Sequence, residues 1–392
     1  MDKKPRIGVD MTDALTWWEV ERGQFLLSRS IYTADILDGL CRNGHADQLV
    51  IFTYFWAEDF LKARFPGVRI VCVGNRILNA ACRIAGKNFY ERFKIPENPV
   101  HIINSCHVDL VWNPFLRAGI EKREIRHRTV ATIHDMMEFR PEEQPDGFKG
   151  FKHAVASAAR LVTISEHAKK EFIVKLGGYP EDKISVIPNA IQLQNIQEEP
   201  VPGLAPGYIL CINGFYVHKN TMAPIRAFDR IKDQTDCNLV LCGGSKDEHF
   251  YADVLQEIEA RQLQDRIKVF YQIPQEQVEW LYNHARLYVN PSRMEGFVRG
   301  PIEAALHGIP VLTSKETSLY EVTMGLLEYV TEPTDAEEMA QHMLRILSNG
   351  PSYDIQQVKE IYLKAYAPET VAASLWDVFE KTVPLPRRRN RT

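Results

Sequence analysis

The sequence predicts an α/β protein built from two doubly wound, parallel-sheet domains of similar size in tandem. Two features lead to this. Short apolar runs alternate with longer segments of helical period, the rhythm of a parallel sheet covered by helices. That rhythm stops once, over residues 191–207, and then restarts. The length agrees: 392 residues, at roughly 150 per domain, make two domains or three.

In the first half the expected strands are Arg6–Asp10, Gln48–Thr53, Val68–Val73, Asp109–Trp112, Thr129–His134 and Arg160–Ile164. Helices are expected between them, among them Ile31–Cys41 and Ser165–Leu176, where Ser165 is placed to cap the first turn. The stretch IQLQNIQEEPVPGLAPG (191–207) is polar, holds three prolines and two glycines, and has no sustained period, so it reads as a linker. Beyond it, Tyr208–Ile212, Asn238–Cys242, Ile267–Tyr271, Leu287–Asn290 and Pro310–Thr313 are strand-like. Helices are expected near Asn220–Lys232, Asp247–Leu263, Pro274–His284, Pro301–His307 and Ala336–Leu347. A long helical stretch from Ile355 to Lys381, broken at Pro368, closes the fold. The division is therefore 1–190, a linker over 191–207, a second domain over 208–365, a terminal helix over 366–383 and a basic tail over 384–392. The tail PLPRRRNRT reads as a disordered, solubilising end, with weak attraction to anionic lipid as the sharper reading.

Composition removes several classes. A chain that is 45% hydrophobic and 25% charged is globular rather than disordered. A net charge of −4 argues against a nucleic-acid binder, which carries a strongly basic face. The charge is uneven: residues 1–190 hold 27 Lys+Arg against 24 Asp+Glu, and the remainder 20 against 27. A first half that faces something anionic fits this asymmetry, and so does no function at all. The seven cysteines are odd in number and form no Cys-x-x-Cys, as expected of reduced thiols in a cytoplasmic protein. No apolar run reaches the ~18 residues of a membrane span, and the start MDKKPRIGVDM reads as a first strand rather than a leader.

In open parallel sheets, ligands bind beyond the carboxyl ends of the strands, so chemistry is sought at strand exits. The segment LYVNPSRMEGFVRGPIE (287–303) runs from a strand through a glycine-bearing loop to a helix beginning at Pro301. Loop amides and a helix start offer a site for phosphate. Glu295 and Glu303 flank that loop with seven residues between them. Beside a diphosphate, carboxylates suit sugar hydroxyls; alternatively Glu303 complements the helix dipole and Glu295 is solvated. At another strand exit, Gly214 permits close backbone approach and Lys219 offers a compact positive charge. His134-Asp135, within TIHDMMEFRPEE (132–143), is a polar pair at a third. His134 has no neighbour at ligand spacing and no Asp-x-Asp occurs, so no metal is expected. Dinucleotide, Walker and Gly-x-Ser-x-Gly signatures are missing from the sequence.

These segments together resemble glycosyltransferase family 4, the retaining nucleotide-sugar transferases of the GT-B fold. ARLVTISEHAKKEFIVKLGGYPEDKISVIPNAI (159–191) resembles the strand–helix segment that precedes that family's linker. RLYVNPSRMEGFVRGPIEAALHGIPVLTSKETSLYEV (286–322) resembles its spaced-glutamate signature. TIHDMMEFRPE resembles its "HD…PE" loop, and GFYVHKN its phosphate motif. The resemblance runs from about Val108 to Leu347 in order and spacing.

It implies two Rossmann-like domains facing each other across a cleft, with the terminal helix near Trp376 crossing back onto the first. It implies donor contacts from Gly214, His218, Lys219, Glu295, Gly296, Phe297, Val298, Arg299, Gly300 and Glu303. Among these, Glu295 would meet the donor sugar, Glu303 the ribose and Lys219 the departing diphosphate, while His134 would lie beside the transferred sugar. Glu295, Lys219 and His134 are thus the expected catalytic set, with no cofactor beyond the sugar-nucleotide substrate and no metal. Departures are His218 where the family often has arginine, and Val298 where it has glycine. Arg299 could then take up phosphate, meet an acidic sugar, or be a solvated loop residue. The family's glycine-rich loop is not recognisable in MTDALTWWEVERGQFLLSRS (11–30). Trp17, Trp18 and Arg29 there suit either acceptor binding or packing.

The expected function is hexose transfer from a nucleoside-diphosphate sugar to a saccharide or lipid-linked saccharide in surface-glycan assembly. GDP-mannose comes first by family frequency, with UDP- or dTDP-sugars next. Residues 76–94, basic and amphipathic if helical, suit either peripheral contact with the anionic inner membrane face or an ordinary surface helix. Alternatives are a non-catalytic nucleotide-sugar-binding subunit, or a GT-B epimerase or phosphorylase.

Overall fold

The structure is a computed structural model, and it describes residues 4–74, 80, 81, 84, 99–116, 125–136, 145–244 and 247–383. The basic segment 76–94, apart from residues 80, 81 and 84, the second half of the 132–143 loop and the tail 384–392 therefore lie outside the described residues. The chain forms two compact units, 1–190 with 366–392, and 191–365.

The first unit holds seven strands: β1 (Ile7–Asp10), β2 (Leu49–Thr53), β3 (Arg69–Cys72), β4 (Leu110–Asn113), β5 (Arg128–Ile133), β6 (Arg160–Thr163) and β7 (Ile184–Val186). They pair in parallel in the order β3-β2-β1-β4-β5-β6-β7. β1, β2 and β4 are buried on both faces, which is why they read as unbroken apolar runs. The helix Pro368–Thr382 returns to this unit and packs on the helix Ser28–Arg42. Trp376 stacks on His45 with ring centroids 3.7 Å apart, and Phe379 meets Trp112. The crossing is close because Gly39 has no side chain; a Cβ there would lie 2.0 Å from the Pro368 carbonyl oxygen.

The second unit holds β8 (Tyr208–Ile212), β9 (Leu239–Gly243), β10 (Ile267–Tyr271), β11 (Ala285–Asn290), β12 (Val311–Ser314) and β13 (Glu328–Val330). These are parallel in the order β10-β9-β8-β11-β12-β13. The doubly wound architecture expected from the alternation is present in both units. β7 and β13 were not expected: three residues are too short for a periodic signal.

Segment 191–207 has no regular structure, as its composition implies, yet it is not a loose tether. Val201 and Leu204 are buried, the Glu199 amide donates to the Glu276 carbonyl, and Glu198 takes hydrogen bonds from Asn283 and His284. The six described cysteines carry no disulfide, and burial pushes the Cys211 and Cys242 thiols up to about 12, which keeps them protonated and inert.

Candidate active site

In each sheet the winding reverses once, at β1/β4 and at β8/β11. A reversal separates the two crossovers that leave neighbouring strands, opening a crevice at their carboxyl ends where open α/β sheets hold ligands. In the second unit the segments at that point are 213–220 after β8 and 291–299 after β11, the two that the sequence singles out.

They meet. Lys219 Nζ lies 2.7 and 2.8 Å from the two carboxylate oxygens of Glu295. The Arg293 amide donates to the His218 carbonyl at 2.8 Å. Asn220 sits in the left-handed region at φ 56° and donates through Nδ2 to the Pro291 and Pro333 carbonyls, at 3.1 and 2.7 Å. Asparagine tolerates this backbone better than most residues. The Glu295 backbone is held from the other side, its amide by Thr317 Oγ1 and its carbonyl by the Ser318 hydroxyl, each at 2.9 Å. Asn220, Thr317 and Ser318 received no role from the sequence, although each stands inside a segment that carries the resemblance. Their part is to hold backbone, and such a role leaves no mark in local spacing.

Because it supplies both bonds and the unusual φ, Asn220→Ala is expected to cost about 2 kcal/mol. Thermal melting checks this, and an unchanged melting point would show that the loops hold without it.

Glycines keep the loops close to the strand tips. A Cβ on Gly300 would lie 2.2 Å from the Tyr288 hydroxyl, which donates to the Ile212 carbonyl. One on Gly214 would lie 2.8 Å from the Tyr216 ring, against which the His218 imidazole stacks. The departure at Val298 has a packing reason: its buried side chain joins Leu319 and Val322, with Phe297 against them, and so anchors the loop. Gly296 is buried beside Glu295.

Glu303, in the first turn of the helix Gly300–Leu306, is engaged on both oxygens. Arg299 Nε donates to Oε1 at 3.0 Å and the Tyr282 hydroxyl to Oε2 at 3.2 Å. Arg299 thus rests on a carboxylate through Nε. The place of Glu303 in the first helical turn also lets its carboxylate complement the helix dipole.

In the first unit, His134 follows β5 half-buried, with Nε2 2.9 Å from the Pro114 carbonyl. Its ring lies edge-on to Tyr32 and against Phe115, both with centroids 4.4 Å away. Trp17 packs on Phe55 and Trp56, whereas Trp18 is 45% exposed with the Arg22 guanidinium over its ring at 4.2 Å. Arg29 lies in the first turn of the helix Ser28–Arg42. In place of a glycine-rich loop, segment 11–30 is organised by Glu19, fully buried. Its carboxylate accepts from the amides of Thr16, Leu26 and Leu27 and the hydroxyls of Thr16 and Ser30. The Thr16-x-x-Glu19 capping box was the signal for it. Among the described residues no three His, Cys, Asp or Glu gather as metal ligands, and no helix is long and apolar enough to cross a membrane.

Comparison with known proteins adds the family. Residues 30–195 match the family model described as Glycosyltransferase Family 4, and residues 194–360 that described as Glycosyl transferases group 1. The chain is 30% identical over 242 residues to O-antigen chain mannosyltransferase B of Escherichia coli, covering 57% of this chain and 62% of that one. It is 27% identical over 237 residues to O-antigen chain mannosyltransferase RfbU of Salmonella typhimurium, covering 58% and 62%. The match thus spans 62% of the length of both relatives. Among solved structures, Anabaena Alr3699/HepE in complex with UDP and glucose superimposes with a TM-score of 0.67 at 15% identity, covering 96% of this chain and 100% of that one. Sucrose-phosphate synthase from Thermosynechococcus elongatus gives 0.64 at 16%, covering 96% and 99%.

Proposed function

Because the chain belongs to glycosyltransferase family 4 and has the GT-B fold, we propose that it is a retaining hexosyltransferase of surface-polysaccharide assembly. It would move a hexose from a nucleoside-diphosphate sugar to a hydroxyl of a saccharide or lipid-linked saccharide. The names of the two O-antigen relatives favour GDP-mannose as donor, and the UDP in the Anabaena complex keeps UDP-sugars next.

The observation that carries this reading is the Lys219–Glu295 pair at the β8/β11 switch point. Alone, the two charges neutralise each other. A diphosphate entering beside Lys219 competes for the ammonium, and the nearly buried Glu295 carboxylate must then be satisfied by something else. Sugar hydroxyls are the donors that arrive with a sugar nucleotide, so diphosphate and hexose would be recognised together. As the glycosyl–phosphate bond breaks, its electron pair leaves with the diphosphate, whose growing charge Lys219 and the loop amides stabilise. The acceptor oxygen bonds to the anomeric carbon on the face the diphosphate leaves, and its proton passes to a diphosphate oxygen. Glu303 takes the ribose, His134 keeps the role the family resemblance implies beside the transferred sugar, and Trp17, Trp18 and Arg29 belong to the acceptor side.

The test is release of nucleoside diphosphate from a panel of sugar nucleotides, with EDTA present. Slow hydrolysis of one donor, stimulated by acceptor and insensitive to EDTA, is expected, since Lys219 rather than a metal supplies the charge. Tight binding without turnover across acceptors would instead make the chain a nucleotide-sugar-binding subunit. Work at the cytoplasmic membrane face is part of the proposal, and sedimentation with anionic liposomes at low salt tests it. No pelleting there, where attraction is strongest, would remove membrane contact.

A further inference from the structure

Behind Glu303 lies a chain of contacts that neither the sequence nor the comparisons assign. His307, one residue past the helix Gly300–Leu306, has a side chain only 5% exposed, and both of its ring nitrogens face acceptors. Nδ1 is 2.8 Å from the Glu303 carbonyl oxygen, and Nε2 is 2.9 Å from Oε1 of Glu279 on the helix Gln275–Asn283. A carbonyl and a carboxylate both accept, so the ring is held at its two nitrogens from opposite ends. The imidazole also stacks on Tyr282, with centroids 4.8 Å apart and planes 17° from parallel. Tyr282 in turn stacks on Tyr288 and gives its hydroxyl to Glu303. The ring of Tyr282 is therefore held between His307 and Tyr288, with its hydroxyl aimed at one carboxylate oxygen.

We propose that His307, clamped by Glu279, is a positioning residue. By bracing Tyr282 it fixes the Glu303 carboxylate in the orientation that accepts the two ribose hydroxyls of the donor. The inference rests on the reading of Glu303 as the ribose ligand. Two ribose hydroxyls on one carboxylate demand a fixed carboxylate plane. Arg299 constrains one oxygen from the loop and Tyr282 the other from the neighbouring helix. Without the brace, Glu303 keeps its charge but loses its plane, so selectivity for the ribose suffers while diphosphate recognition at Lys219 does not.

Calorimetric binding of a nucleoside diphosphate and its 2′,3′-dideoxy analogue to the full chain tests this, using wild type, Tyr282→Phe, His307→Ala and Glu279→Gln. Wild type should prefer the ribose form by roughly tenfold or more, the loss expected when a site built to bond hydroxyls is offered none. Tyr282→Phe keeps the stacked ring and removes only the hydroxyl. It should cut that preference to about a third or less while dideoxy binding stays constant. His307→Ala and Glu279→Gln should do the same, with KM for the donor raised and kcat little changed. If His307→Ala does not fold, Tyr282→Phe and Glu279→Gln decide the matter. Full ribose preference in those variants would overturn the inference and leave the Glu303 reading standing. A wild type that binds both forms alike would overturn both.

Discussion

Lys219→Ala is expected to slow release of nucleoside diphosphate from the donor by about 10²- to 10³-fold, the usual cost of removing one group aimed at developing charge. The loss should fall on kcat, because the charge that Lys219 meets grows as the bond breaks. The same substitution strips the partner from Glu295, whose side chain is 7% exposed against 22% for the lysine. An uncompensated carboxylate at that depth should cost about 2 kcal/mol, below the figure for a fully buried pair because water reaches the lysine side. The two effects separate in Lys219→Ala/Glu295→Gln, which removes both charges. Its melting point should recover most of the loss while its turnover stays low. A double variant that recovered turnover along with stability would show that Lys219 acts only as a structural counter-ion, and the proposed chemistry would fall.

Gly39→Ala should bring the largest loss of stability in the first unit. The added carbon would lie 2.0 Å from the carbonyl oxygen of Pro368, 2.4 Å from its carbonyl carbon and 2.7 Å from the Ala372 side chain. Two of those atoms are backbone and cannot swing aside, so one helix must move off the other. That would disturb the Trp376–His45 stack and the bond from Arg128 to the Thr382 carbonyl. Overpacking of this kind costs about 3 kcal/mol, a melting shift of roughly 6–12 °C for a unit of this size. Calorimetry should show the shift in one transition only, with nucleotide affinity unchanged. An unshifted first unit would mean the helix Pro368–Thr382 contributes little to its stability.

Much of this protein was legible in its residues. Alternation of apolar runs with helical segments fixed both parallel sheets, since a strand buried on both faces has nowhere to place polar residues. Pro301 marked a helix start, and the helix Gly300–Leu306 begins within one residue of it. Lys219 and Glu295 stood in segments whose strand-exit position already pointed to a ligand. Arg299 shows where such reading ends: as a loop arginine it suited phosphate, solvent or an acidic sugar, and it stands on Glu303. Glu19 shows the same limit from the other side, a charge given no role by the sequence reading that is the buried centre of its segment.

Sequence alone determined the elements long enough to carry a period, β7 and β13 excepted, and the residue types at their exits, because periodicity and strand–loop–helix order are properties of neighbours along the chain. Only the tertiary structure decided which charges pair. Lys219 and Glu295 are 76 residues apart, and Glu279 and His307 are 28 apart. No local pattern couples residues at such separations; the order in which strands join a sheet brings them within a hydrogen bond.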